Sequence, residues 1–170
     1  MTPTLTTERL SLGPCAEAHL DAFTAFVATE ASRFLGGPSE DPTDAWWSCA
    51  AHAGQWTLRG YGTFWLTDRV TGAPVGRVGP WHPGWAAEPD MSWVVYPAFE
   101  GRGLAHEAAR AVLDWAARER GLTALASFVN PDNARSLALA RRLGAREERR
   151  SVSRDGETAI VFRHGRAEAA

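Results

Sequence analysis

The chain has 170 residues and a formal net charge of −2, the size of one domain with a proper core and no electrostatic bias toward nucleic acid or an anionic membrane. No apolar run approaches a membrane-spanning length, and the polar start MTPTLTTERL is unlike a signal peptide. Its two cysteines, Cys15 and Cys49, lack metal-ligand or disulfide spacing and read as small thiols of a reducing compartment, here the cytoplasm.

Residues 1–7 read as a frayed arm. Arg9 to Leu12 alternate as a first strand closed by Gly13-Pro14, and Glu17 to Thr29 carry Leu20, Phe23, Phe26 and Val27 on one helical face. A loop rich in glycine and proline, Phe34 to Pro42, leads to a second helix from about Thr43 to Leu58. Tyr61 to Thr67 and Val75 to Val78 form a hairpin about Val70-Thr71-Gly72, and residues 80–89, PWHPGWAAEP, form a loop. MSWVVY then reads as a buried strand ended by Pro97. Leu104, Ala108, Ala111, Val112, Trp115 and Ala116 make the apolar side of a long helix that Gly121 stops. Leu125 to Val129 is a further strand, and Asn130-Pro131-Asp132-Asn133 breaks it and caps a helix that runs to Leu143. A hairpin of Glu147 to Arg154 and Glu157 to Phe162 turns on Asp155-Gly156, and a polar tail follows from Arg163. The result is a single α/β domain over 1–170, with a mixed sheet of about seven strands, helices on both faces, and flexible ends at 1–6 and 164–170.

Between the MSWVVY strand and the long helix lies Glu100-Gly101-Arg102-Gly103-Leu104-Ala105. Small residues there let main-chain N–H groups converge ahead of a helix N-terminus, which is an anion seat, and Arg102 adds a fixed positive charge. A mononucleotide P-loop is excluded, because it needs a lysine and all 18 basic residues of this chain are arginine. The dinucleotide fingerprint needs a third glycine where His106 stands.

What remains resembles the pyrophosphate loop of the GNAT superfamily of N-acetyltransferases, Gln/Arg-x-x-Gly-x-Gly/Ala, with Gly103 and Ala105 at the small positions and Glu100 in the Gln/Arg place. Three further pieces, in order, are similar to the branch containing the ribosomal-protein N-terminal Ala/Ser acetyltransferases. They are TERLSLGP at 7–14, Asp90-Met91-Ser92-Trp93 in the fourth strand, and NPDNARSLALARRLGA at 130–145. The resemblance covers about residues 6–162 and implies the GNAT fold.

It also implies acetyl-CoA as co-substrate and a primary amine as acceptor, on a protein N-terminus or a small molecule, that attacks the thioester directly; no metal, nucleic acid or membrane is expected, and a homodimer is left open. By the same resemblance, main-chain groups of Trp93, Val94 and Val95 would bond the pantetheine arm, and Arg102, Gly103, Leu104 and Ala105 would receive the pyrophosphate. Asn133 would reach a pantetheine amide, serve as a helix cap, or do both. Asp90 matches the family's acidic residue and is the first choice of base, with His82 and Glu88 as rivals. The family's usual tyrosine acid falls on Ala140, which leaves Ser136 as the hydroxyl on that helix. The arginines at 141, 142, 146, 149, 150 and 154 would offer contacts to the 3′-phosphate, and Trp46, Trp47, Trp81 and Trp85 would wall the acceptor pocket or fill the core. Glu100 and Ala140 favour an alternative, a catalytically idle acyl-CoA-binding module.

Overall fold

The computed structural model describes residues 2–152 and 156–165. The strands are β1 (Leu5–Thr6), β2 (Leu10–Gly13), β3 (Phe64–Asp68), β4 (Pro74–Trp81), β5 (Asp90–Val95), β6 (Ala126–Val129), β7 (Arg146–Val152) and β8 (Thr158–Arg163). The helices are α1 (Glu17–Val27), α2 (Pro42–Arg59), α3 (Leu104–Arg120) and α4 (Ala134–Arg142), with 3₁₀ turns at Glu30–Leu35 and Pro97–Phe99.

The strands form one sheet in the order β1-β2-β3-β4-β5-β6-β8-β7. Every neighbouring pair is antiparallel except β5 with β6. That parallel pair needs a crossover, and α3 supplies it. The helix begins at Gly103 (φ 76°) and stops at Gly121 (φ 68°), each in the left-handed region that favours glycine. Ala108, Val112, Trp115 and Ala116 of α3 pack on Leu10, Leu12, Phe64, Leu66, Val78 and Met91. On the opposite face, Phe23 and Phe26 of α1 and Ala45 and Cys49 of α2 pack on Trp65, Val94 and Tyr96. Alternate residues of each central strand therefore serve two cores, with about 1.5–3 kcal/mol favouring burial of each large apolar side chain.

The structure corrects the sequence reading at three edges. Leu5 and Thr6 pair with Leu12 and Ser11, so the arm is an eighth strand, too short to show any alternation. Pro80 and Trp81 belong to β4, paired with Met91 and Asp90. Proline is tolerated there because Pro80 stands at a non-hydrogen-bonded position opposite β5, and β3 begins only at Phe64 on its other side. Arg163 closes β8, and His164 is buried, not part of a loose tail. Asp155 of the expected turn, and the chain beyond 165, lie outside the described residues. Among the described residues no helix is long and apolar enough to cross a membrane.

Candidate active site

Strands β5 and β6 pair at one position, Asp90 with Ala126, and then part. Side chains fasten the closed end of this fork. The Phe128 N–H donates to Asp90 Oδ1 (3.1 Å), and the Ser127 hydroxyl donates to the Met91 carbonyl (2.7 Å). His164 Nε2, 2.8 Å from Ser127 Oγ, completes the clasp. Beyond it opens a cleft of ≈ 1240 Å³ between β5, β6, the glycine loop, α4 and the Glu30–Leu35 turn. The volume is at the large end for small-molecule sites and suits an elongated ligand.

The pairing parity of β5 decides which main-chain groups face the fork. Tyr96 N bonds to Val75 O (2.8 Å), which turns the N–H and C=O groups of 90, 92, 94 and 96 toward β4. Those of Trp93 and Val95 point the other way, into the fork. Val94, expected alongside them, has its main chain committed to β4 and offers only its side chain to the cleft.

Across the open end, Gly101 (φ 74°) and Gly103 (φ 76°) turn the chain into α3, and no side chain caps its first turn. Gly101, Gly103, Leu104, Ala105 and His106 line the cleft there. The loop is braced from behind. Arg9 donates to Glu107 Oε2 from Nε and to the Arg102 carbonyl from Nη1, at 2.7 and 2.8 Å. The Arg102 side chain departs from the expectation: its guanidinium lies over the Phe99 ring (5.4 Å) and does not line the cleft. Glu100 forms an ion pair with Arg135 of α4, so the acidic group in the family's Gln/Arg place carries its own counter-charge.

Asp90 sits at the closed end, among the residues that line the cleft. Burial pushes its pKa up to about 7, against the opposing pull of the Phe128 N–H and the charge of Arg77. Asn133 caps α4, its Oδ1 accepting from Ser136 N (3.1 Å), while its Nδ2 bonds to no described residue. Ser136 Oγ accepts from the Trp93 indole N–H (3.1 Å), which leaves its own proton to give. Ala140 is fully buried with Val129, Ile160 and Phe162, so this helix offers no acid at that place.

The rival bases are engaged elsewhere. His82 stands between the Tyr61 hydroxyl (2.6 Å) and the Ala86 carbonyl (3.2 Å), away from the cleft. Glu88 pairs with Arg163 and Arg149, and the hydrogen bond from Arg163 leads in holding its carboxyl below the usual range. Of the expected tryptophans none lines the cleft. Trp46 and Trp47 flank a separate shallow groove over α1, Trp81 packs at a tilt against His52 (ring centroids 4.1 Å apart), and Trp85 is exposed. Phe26, Phe34 and Leu35 form that wall instead. Phe34 lay in a segment read only as a loop, and Phe26 was assigned to a helical core face. Of the expected arginines Arg142 alone reaches the cleft, while Arg154 lies outside the described residues.

The comparisons with known proteins agree with this geometry. The family model for the acetyltransferase (GNAT) domain matches residues 9–146. An acetyltransferase from Agrobacterium tumefaciens is 35% identical, covers 96% of this chain and 95% of its own, and superposes with a TM-score of 0.88. A protein described as a GnaT-family acetyltransferase from Bordetella pertussis is 31% identical over 97% of this chain and 99% of its own, with a TM-score of 0.80. The fold is also shared with RimL, a ribosomal L7/L12 α-N-protein acetyltransferase solved with coenzyme A, at 14% identity over 96% of this chain and 98% of that one and a TM-score of 0.73. The forked sheet, the glycine loop and these likenesses lead to one conclusion: the chain belongs to the GNAT acetyltransferases, which use acetyl-CoA as the acyl donor.

Proposed function

We propose that this acetyltransferase moves the acetyl group to a primary amine, an α-amine of a protein N-terminus or of a small molecule, with Asp90 as the base. One observation carries the reading: the fork holds a half-buried aspartate, Asp90, at its closed end, with the main-chain groups of Trp93 and Val95 turned inward along the same strand. Trp93 and Val95 would bond the pantetheine arm, with Asn133 Nδ2 across from them. The N–H groups of Gly103, Leu104 and Ala105 would take the pyrophosphate at the start of α3. Arg33, Arg135 and Arg142 are the arginines that line the cleft.

Asp90 accepts the amine's proton as the nitrogen bonds to the thioester carbonyl carbon and the C–S bond breaks. The Ser136 hydroxyl donates a hydrogen bond to the departing sulfur, which leaves as a thiolate. A base with pKa about 7 is matched to an α-amine of about 8; a lysine of about 10.4 presents its free lone pair at a disadvantage of roughly 3 kcal/mol. On fold likeness alone, the α-N-protein acetyltransferase is the analogue for such an acceptor.

Thiol release from acetyl-CoA tests the reading. Peptides with a free Ala or Ser start are compared with the same peptides blocked at the start and carrying an internal lysine. Faster release with the free α-amine is expected, and faster transfer to the internal lysine would overturn the acceptor assignment.

A further inference from the structure

Arg77 is on β4, a central strand, with Trp65 and Val94 as its cross-strand neighbours. It is only 6% exposed. Its guanidinium lies against Phe23 of α1, 5.5 Å from the ring centroid. It makes no hydrogen bond or ion pair with any described residue, and its Nε is fully enclosed without a partner. The Tyr96 hydroxyl, two residues past Val94 on the same sheet face, is also buried and unpartnered.

Buried charges in folded proteins are paired, and buried polar groups are bonded. Among the described residues no carboxylate forms an ion pair with Arg77. Asp90 acts on Arg77 at longer range, and its carboxyl already accepts from Phe128. His52 and Cys49, on α2 above the guanidinium, are both held neutral, His52 by burial and Cys49 by its neighbour Cys15 and burial. The uncompensated burial lowers the guanidinium itself to about 10.

The empty complement is a flat, two-oxygen anion, which an arginine fork and a phenol can receive together. The position says whose anion it is. Val94, directly opposite Arg77, lines the cleft, as does Phe26, whose ring packs 5.3 Å from that of Tyr96. Arg77 thus stands about one strand spacing, ~4.8 Å, behind Val94 of the cleft wall, and Tyr96 follows Val94 two residues along the same strand line. They are on the face that carries Asp90 and Ser92. The sheet itself separates them from α3, where the donor's phosphates would be held.

We propose that Arg77 and Tyr96 form a subsite for a carboxylate carried by the amine acceptor. The subsite rests on the N-acetyl transfer reading and narrows it, to amines that bear a carboxylate within reach of Asp90. It requires Val94 and Phe26 to give way as the acceptor enters.

The dipeptide Ala-Ala and its C-terminal amide have α-amines of similar basicity and differ in the carboxylate. The protein should favour Ala-Ala by on the order of 10–100-fold in kcat/KM, expressed in KM, the size of a hydrogen bond to a charged group. Arg77→Met should erase the difference while coenzyme A affinity stays, and Arg77→Lys should restore part of it. Equal rates for the two peptides with the unaltered protein overturn the subsite without need of any variant. So does an Arg77→Met loss shared equally by both, which marks a structural residue. A third arm offers succinyl-CoA in place of acetyl-CoA, and an Arg77 dependence that follows that acyl carboxylate also overturns it. If neither peptide is acetylated, the transfer reading fails by itself. The subsite is then judged by calorimetry on the protein saturated with coenzyme A, where Ala-Ala should bind more tightly than its amide and lose that advantage in Arg77→Met.

Discussion

Trp93 donates its indole N–H to the hydroxyl of Ser136 at 3.1 Å, joining β5 to the first turn of α4 across the cleft. A hydroxyl that accepts a hydrogen bond becomes a better donor of its own proton. Because a thiol of pKa about 8.5 leaves fairly readily near neutrality, the assistance is modest. Ser136→Ala is expected to lower kcat by roughly tenfold or less, and to destabilise the fold by about 1 kcal/mol through the orphaned indole N–H. Thiol-release kinetics and urea unfolding measure the two effects. An unchanged kcat would remove Ser136 from the chemistry.

Glu100 and Arg135 meet across the mouth of the cleft, with side chains 33% and 76% exposed. A pair so exposed contributes at most about 1 kcal/mol to stability. Its consequence lies in binding, because Glu100 holds Arg135 away from any phosphate seated at α3. Glu100→Gln should leave the unfolding midpoint nearly unchanged and tighten coenzyme A. Arg135→Ala should weaken it, with a shallower salt dependence. Calorimetry at two salt concentrations reads both variants, and no gain in Glu100→Gln would mean that Arg135 remains on its carboxylate with ligand bound.

The first arginine of the TERL segment shapes the phosphate seat without touching it. Arg9 ties the Arg102 carbonyl to Glu107 on α3, and Arg9→Ala should therefore loosen the loop and weaken coenzyme A severalfold. Gly103→Val should be more severe, because its φ of 76° costs a branched residue about 1–2 kcal/mol. Titration of both variants with coenzyme A checks the order. Equal binding in all three proteins would place the phosphates elsewhere.

Asp90 links pH to stability in a defined direction. Its folded pKa is raised from 3.8 to about 7, so the protonated carboxyl is what the fold prefers. The stabilisation is fully present below about pH 4 and is lost as pH rises through 7, a swing of order 4 kcal/mol. Asp90→Asn keeps an acceptor for the Phe128 N–H and removes the charge. Between pH 4 and 8 its urea midpoint should fall less than the parent's. Parallel curves would mean that Asp90 is solvated and ordinary.

Much of the architecture was legible because its signals are local. The α3 stripe, Gly121 and the Asn133 cap each act within a turn or two. The features that went unread depend on partners distant in sequence. The acidic residue at Glu100 makes sense only with Arg135, which the sheet brings across the cleft. Nothing local in the loop tells that Arg102 turns back onto Phe99 while its carbonyl serves Arg9. Arg77 lay inside Val75 to Val78, read only as one arm of a hairpin, and its isolation appears only when α1 and α2 cover it. The β1 pairing spans two residues, below the reach of any periodicity. Asp90 was placed at the fork from its likeness to a family position, but its raised pKa follows from burial between strands 36 residues apart in the chain, as Asp90 pairs with Ala126.

The pH–rate profile of acetyl transfer to a free α-amine peptide, measured for the parent and for Asp90→Asn, bears most directly on the proposed chemistry. In the parent, kcat/KM should rise through a limb near pH 7 as Asp90 ionises. Asp90→Asn should still bind coenzyme A, lose roughly 10²–10⁴-fold in kcat, and keep only the acceptor's own rise near 8. Two profiles that overlay would contradict Asp90 as the base.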